Sequence, residues 1–224
     1  MFDRIAGVYD LLNTVMTAGL HHAWRTRAVR LAQIGPGARV LDVATGTGDL
    51  AFALAGAVAP GGQVMATDFS ERMLGVARAK ATDRHVGAEV SFEFANALAL
   101  PFDDDEFDAA TVGFGVRNFS DLQQGLRELA RVVKPGGRVV ILEMTTPRRP
   151  PLSTFFSLWF DRIVPVLGRV AGDPDAYSYL PDSVRRFPGP ETLAGMLWEA
   201  GLRDVRYVLT AGGIIALHAG RVST

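Results

Sequence analysis

Apolar and polar positions change period several times along the chain, and each change marks an element. Over residues 1–30, Phe2, Tyr9, Leu12, Met16, Leu20 and Trp24 recur at helical spacing. "IGPGA" breaks that pattern, and "RVLDVA" (39–44) is an apolar run of strand length. A helix is predicted from Gly48 to Val58, and "PGG" turns it into a second strand, "QVMATD" (63–68). "SERMLGVARAKA" (70–81) reads as a helix with Ser70 as its N-cap, because a serine hydroxyl there can accept from a free backbone N–H. "VSFEFA" (90–95) alternates apolar and polar, as a half-buried strand does. "FDAATVGFG" (107–115) is almost continuously apolar and is predicted as a central strand. "DLQQGLRELARVV" (121–133) is an amphipathic helix, "KPGG" a turn, and "RVVILEM" (138–144) a fifth strand.

Strands alternating with helices predict an α/β fold: a mostly parallel sheet with helices on both faces. Ligands in such sheets bind beyond the carboxyl ends of the strands. Asp42–Asp49, Asp68, Asn96 and Gly113–Asn118 all fall at such ends, so one crevice is expected to collect them. After Glu143 the pattern changes. "TTPRRPPLS" is a proline-rich break, "TFFSLWFDRIVPVLGRVAG" an aromatic-rich helical segment bent at Pro165, and "FPGPETL" a helix start. "LRDVRYVLTAGGIIALHAG" reads as two strands around "TAGG", so the sheet is expected to end in an antiparallel hairpin. The whole chain, 1–224, is read as one domain, with 1–34 as a helical N-terminal cap and 145–190 as a helical lid.

Composition narrows the classes. With 48% apolar and 21% charged residues, the chain can bury a full core. A formal net charge of -1 argues against a nucleic-acid partner. The absence of cysteine excludes disulfides, thiolate metal sites and a cysteine nucleophile, and fits a cytoplasmic protein. Four histidines without metal-ligand spacing predict no metal. No apolar run reaches the roughly 18 residues of a membrane span, and the N-terminus does not have the pattern of a signal peptide.

"GTGDLA" (46–51) matches the dinucleotide spacing G-x-G-x-x-G/A, and Asp68 follows about 20 residues later, where an acid meets ribose hydroxyls. An NAD-dependent dehydrogenase is therefore one reading. Asp42 weighs against it, because a pyrophosphate at this turn repels a carboxylate, whereas a cationic ligand is attracted by it. S-adenosylmethionine carries a sulfonium and an amino group and no phosphate.

Longer segments carry a resemblance. "NALALPFDDDEFD" resembles the adenine-binding segment of class I methyltransferases. "YDLLNTVMTAGLHHAW", "FGVRN", "RVVKPGGRVVILEMTTP", "DAYSYLPDSVRRFP" and "LTAGGIIALHAG", in this order, resemble the S-adenosylmethionine-dependent C-methyltransferases of menaquinone and ubiquinone biosynthesis over nearly the whole chain. The resemblance implies a class I, Rossmann-like methyltransferase fold. Three positions depart from it: Ala44 stands where many methyltransferases have the first glycine of the loop, Gly113 where relatives often carry a cofactor-touching serine, and Thr145 near where serine more often stands.

The expected cofactor residues are Gly46, Thr47 and Gly48 at the turn, Asp68 on the ribose, Met73, Asn96 and Ala97 around the adenine, Asp42 toward the amino group, and Gly113 through its backbone. Asp49 reads equally as a helix-start acid. Arg117 and Asn118 follow strand four beside the acceptor and are expected to carry the chemistry; the plain alternative for Arg117 is a surface ion pair. His21, His22 and Trp24, with Tyr177, Tyr179, Arg185 and Phe187, are expected to line an acceptor pocket, and His21 or His22 to serve as base. The implied acceptor is a polyprenyl quinol. The reading inclines to demethylmenaquinol over a benzoquinol precursor of ubiquinone, and a non-catalytic binding module is the remaining rival. "FFSLWF" with "IVPVLG" is apolar enough to guide an isoprenoid tail or touch the inner face of the membrane, and the alternative is burial against the sheet or in a homodimer.

Overall fold

The computed structural model describes residues 17, 19–84, 89–147, 150–158 and 181–224. The expectations for Phe2 to Met16, for the bend at Pro165 and for Tyr177 and Tyr179 lie outside these residues. In chain order the described elements are α1 (Leu20–Ala32), β1 (Arg39–Val43), α2 (Asp49–Val58), β2 (Gln63–Asp68), α3 (Glu71–Arg84), β3 (Val90–Phe94), β4 (Phe107–Gly113), α4 (Leu122–Arg131), β5 (Val133–Met144), α5 (Leu152–Leu158), α6 (Pro190–Glu199), β6 (Leu202–Thr210) and β7 (Ile215–Val222).

The seven strands form one sheet in the order β3-β2-β1-β4-β5-β7-β6. β1 to β5 pair in parallel. β7 runs antiparallel to both neighbours, inserted between β5 and β6. The C-terminal hairpin is thus present, and its second strand joins the body of the sheet while its first forms the edge.

Strand pleating splits the core in two. Val40 and Leu142 belong to a cluster with Trp24, Ala28, Leu50 and Leu54. Their chain neighbours Leu41 and Ile141 belong to a second cluster with Leu126, Leu129, Leu193 and Leu197. Successive side chains on a strand point to opposite faces, so one face packs on α1 and α2 and the other on α4 and α6. β4 lies at the centre with Ala109 to Val112 fully buried, as its apolar run predicts. β3 lies at the edge and leaves Phe94 exposed.

Local signals account for several helix starts. The Ser70 hydroxyl accepts from Met73 N–H at 3.2 Å, and the Asp121 carboxylate accepts from Gln124 N–H at 2.9 Å. Pro190 occupies the first turn of α6, where a missing N–H costs nothing. "KPGG" differs from expectation. It does not separate helix from strand but lies within β5, where pairing jumps from Phe107↔Val133 to Ala109↔Arg138. Gly136 takes a φ of 81°, and a Cβ on Gly137 would lie 2.6 Å from the Asp108 carbonyl oxygen. The glycines make a bulge that lets one strand pair on both sides of an interruption.

Candidate active site

Strand order reverses between β1 and β4, and the crevice at that switch point is where ligands bind in such sheets. A cavity of ≈ 590 Å³ opens there, between the ends of β1 to β4 and the residues that follow them. Several backbones around it are left-handed: Ala44 (φ 53°) and Gly46 (φ 59°) after β1, and Phe114 (φ 59°) after β4. An alanine and a phenylalanine in this region are strained, and such strain clusters at functional sites. The departure at Ala44 thus has a structural meaning. The position does require the conformation that a glycine adopts freely, and alanine adopts it at some cost.

Asp42 is fully buried in the cavity floor. Thr111, its register partner on β4, donates to Oδ1 at 2.5 Å, and Thr45 donates to Oδ2 at 2.6 Å. Burial outweighs these hydrogen bonds and pushes its carboxyl up to about 6 from 3.8, with Arg25 partly offsetting and Asp68 adding to the rise. A carboxylate in this state suits a cationic ligand.

Asp68 closes β2 and also lines the cavity. Its Oδ2 accepts from Gly46 N–H at 2.8 Å and its Oδ1 from Ser70 N–H at 2.9 Å. One acid therefore ties the glycine turn to the start of α3. A strand-end carboxylate lining the cavity is the acceptor type that a ribose diol requires.

Gly46 and Thr47 line the cavity. Gly48 is not among its lining residues; a Cβ there would lie 2.9 Å from the Phe52 ring, so this glycine serves the packing of α2. The Thr47 hydroxyl accepts from Lys80 Nζ at 3.2 Å. Asp49, first residue of α2, is surrounded by Lys80 Nζ at 2.5 Å, Arg25 Nη1 at 3.0 Å and Arg84 Nη2 at 3.7 Å. The cations together hold its carboxyl below the usual range in spite of desolvation. Arg25 lines the cavity and is absent from the residues that sequence reasoning selected. A signal existed: His21, Trp24, Arg25, Ala28 and Ala32 form the buried face of α1, and an arginine on such a face is rarely without a task.

Toward β3 the wall is made by Phe69, Met73, Phe94, Asn96, Ala97 and Leu98. Met73 is buried, whereas Phe69 is 68% and Phe94 51% exposed, so two ring faces stand at an open rim. The Asn96 side-chain oxygen accepts from Leu98 N–H at 3.0 Å, which folds the loop back on itself. Gly113 lines the opposite side, where a Cβ would sit 3.1 Å from Leu50 Cδ2.

The acceptor-side residues are less uniformly placed. Asn118 lines the cavity. Arg117 is not among the lining residues: its Nη1 donates to Glu143 Oε1 at 2.5 Å and to the Phe114 carbonyl at 2.6 Å. Arg117 is thus ion-paired, but in the interior and not at the surface where that alternative placed the pair. Arg117 Nε is buried without a hydrogen-bond partner. His21 is 3% exposed with Nδ1 2.7 Å from the Thr17 hydroxyl, and it too is outside the lining set. Trp24 belongs to the core and packs its ring edge-on to Phe114, 6.4 Å between centroids. His22 is exposed, its ring 4.0 Å from that of His21. Phe187 packs against the second core cluster.

The residues present fit S-adenosylmethionine. An acid stands where a ribose diol would lie, a buried carboxylate at the floor favours positive charge, and aromatic faces flank the far end. The comparisons agree. The model of the ubiE/COQ5 methyltransferase family matches residues 1–222. A demethylmenaquinone methyltransferase of Thermus thermophilus is 48% identical over 98% of this chain and 99% of its own length. A ubiquinone/menaquinone biosynthesis C-methyltransferase of Ectopseudomonas mendocina is 41% identical over 98% and 86%. The crystal structure of a SAM-dependent methyltransferase from Aquifex aeolicus shares the fold, with a TM-score of 0.65 at 22% identity over 88% of this chain and 89% of that one. The cofactor is thus S-adenosylmethionine and not a dinucleotide, and the chain belongs to the ubiE/COQ5 methyltransferase family of S-adenosylmethionine-dependent C-methyltransferases.

Proposed function

We propose that this enzyme methylates the ring carbon of demethylmenaquinol, giving menaquinol. The observation that carries the reading is the end-to-end 48% identity to a protein named for that reaction. C-methylation of a benzoquinol is the second reading, favoured by the names of relatives at 41% identity.

When bound, S-adenosylmethionine supplies an electrophilic methyl group. The protein's part is to place the acceptor carbon in line with it and to manage two protons. A phenol of pKa near 10 is roughly 0.1% ionised at pH 7. Loss of the hydroxyl proton makes the ring carbon nucleophilic, and loss of the ring proton after methylation restores aromaticity. Asn118, on the cavity wall, is the candidate to hydrogen-bond the acceptor oxygen. Arg117 holds the 114–118 turn through Glu143 and the Phe114 carbonyl, and so acts by positioning Asn118 against the acceptor oxygen. Glu143 offsets part of the Arg117 charge, so orientation contributes more here than a bare cation would. His21, its ring oriented by the Thr17 hydroxyl, is the candidate proton acceptor.

The N-terminal segment 1–34 and the segment 145–190 are proposed to cover the acceptor, with the apolar stretch of the latter guiding the prenyl tail at the membrane surface. In support, no described helix is long and apolar enough to cross a membrane, and Leu158 is 53% exposed. A homodimer through the same apolar stretch is the competing arrangement.

Labelled S-adenosylmethionine with chemically reduced demethylmenaquinone tests the reading, beside the oxidised quinone and a reduced demethylated benzoquinone. Label in menaquinone from the reduced acceptor alone is the expected result. Transfer to the benzoquinol only overturns the naphthoquinol assignment, and no transfer to either overturns quinol methylation.

A further inference from the structure

Arg25 occupies a peculiar position. It is 8% exposed, it lines the cavity, and it sits on the face of α1 that packs against the protein. Its Nη1 is 3.0 Å from Asp49 Oδ2, yet no hydrogen bond is made, because the N–H bonds are out of line with that oxygen. Asp49 is already served by Lys80 at 2.5 Å and approached by Arg84 at 3.7 Å. Among the described residues three cations thus meet one carboxylate, and Arg25 is the cation of the three that lines the cavity. A buried guanidinium N–H without an acceptor is costly, and a charge-assisted bond to an anion would relieve it.

The ligand of the cavity has few ways to provide that anion. Adenine and ribose are neutral, and the sulfonium and the amino group are cationic. The α-carboxylate is the anionic group of S-adenosylmethionine. If Asp68 takes the ribose and the Met73–Asn96 wall the adenine, the methionyl end runs toward the glycine turn and α1, where Asp42 and Arg25 stand. These two oppose each other in charge, acid and base, as the two ends of a zwitterionic amino acid require.

We propose that Arg25 is a cofactor-binding residue that anchors the α-carboxylate at the methionyl end, with Lys80 and Arg84 balancing Asp49 so that the Arg25 guanidinium can turn to the ligand. The assignment rests on the cavity being the S-adenosylmethionine site. Holding the carboxylate as well as the ribose fixes the ligand on both sides of its sulfur, which sets where the methyl group points.

Decarboxylated S-adenosylmethionine differs from the cofactor by the loss of that carboxylate, so it isolates the contact. Calorimetric titration of the wild-type protein should show the cofactor binding roughly 10- to 100-fold more tightly than the decarboxylated ligand. In Arg25→Met the cofactor should fall to the affinity of the decarboxylated ligand, whose own binding stays within about twofold; Arg25→Lys should lie between. Equal binding of both ligands by the wild type overturns the assignment and leaves the cavity as the cofactor site. An equal loss for both ligands in Arg25→Met also overturns it and makes the residue a structural partner of Asp49. Wild-type protein that binds neither ligand overturns the cofactor site itself. The wild-type comparison needs no substitution, so a variant that fails to fold does not shield the proposal.

Discussion

Arg117 and Glu143 face each other at 2.5 Å between the turn after β4 and the end of β5, with side chains 7% and 1% exposed. The pair joins two neighbouring strand ends beside the cavity. Glu143 also accepts from Met144 N–H at 2.8 Å and from Arg117 N–H at 3.3 Å, and Arg117 takes the carbonyl of the strained Phe114. It holds the loop that carries Asn118.

Breaking this pair from one side leaves a buried charge without its partner. Glu143→Leu or Arg117→Met should each cost about 3–5 kcal/mol, measured by urea unfolding. The double variant Arg117→Met/Glu143→Leu should cost clearly less than the two single losses added together. All three should lose methyl transfer. Strict additivity would show that the two side chains do not support each other.

Ala44 and Gly115 touch across the same strand ends. A Cβ on Gly115 would lie 2.5 Å from Ala44 Cβ. Gly115→Ala should therefore destabilise by about 1–3 kcal/mol through overpacking. Ala44→Gly removes the obstructing methyl and relaxes a φ of 53°, against a loss of about 0.4–1 kcal/mol from the freer unfolded chain. The single Ala44→Gly variant should stay near wild-type stability, and the double variant should melt above Gly115→Ala. No recovery in the double variant would locate the clash elsewhere.

His218 is buried in β7, with Nε2 2.9 Å from the Pro190 carbonyl and Nδ1 without a hydrogen-bond partner. Burial holds its pKa below the ordinary 6.5, although the Pro190 carbonyl and Glu191 favour the charged form. Below pH 6.5 the unfolded chain gains a proton that the folded chain resists, so stability falls as pH falls through that region. The stability difference between wild type and His218→Gln should shift against wild type as pH is lowered from 7.5 to 5.5; a difference independent of pH would show that His218 does not titrate on unfolding.

Asp42 works in the opposite direction. Its folded pKa is about 6 against 3.8, so between those values the folded chain holds a proton that the unfolded chain has released. Its contribution is favourable at low pH and is lost as pH rises toward 6, a difference of about 3 kcal/mol at neutrality. Asp42→Asn should gain stability relative to wild type between pH 4.5 and 7, while binding S-adenosylmethionine more weakly at pH 7. Titrations of both proteins across that range separate the two effects; a pH-independent stability difference would place the proton elsewhere.

Much of this protein was legible along the chain because the relevant physics is local. The period of the apolar positions reports which way successive side chains point, so the order of strands and helices through β5 followed from it. The acid–glycine turn, with Asp42, Gly46 and Asp68, could be read because a left-handed turn and a strand-end acid constrain residue type at fixed spacing. The ordered family segments then identified the methyltransferase. Tertiary structure decided what depends on partners distant in sequence. "KPGG" carries glycines suited to a turn, and pairing with β4 makes it a bulge within β5. Arg117 has the charge to face an acceptor, and a glutamate 26 residues later draws its Nη1 into the interior. Gly48 sits in the motif spacing, and the Phe52 ring assigns it to packing. Arg25 shows no motif at all; packing of α1 over the strand ends brings it to the cavity beside Asp49, because burial and charge pairing are properties of the assembled fold and not of the chain's local pattern.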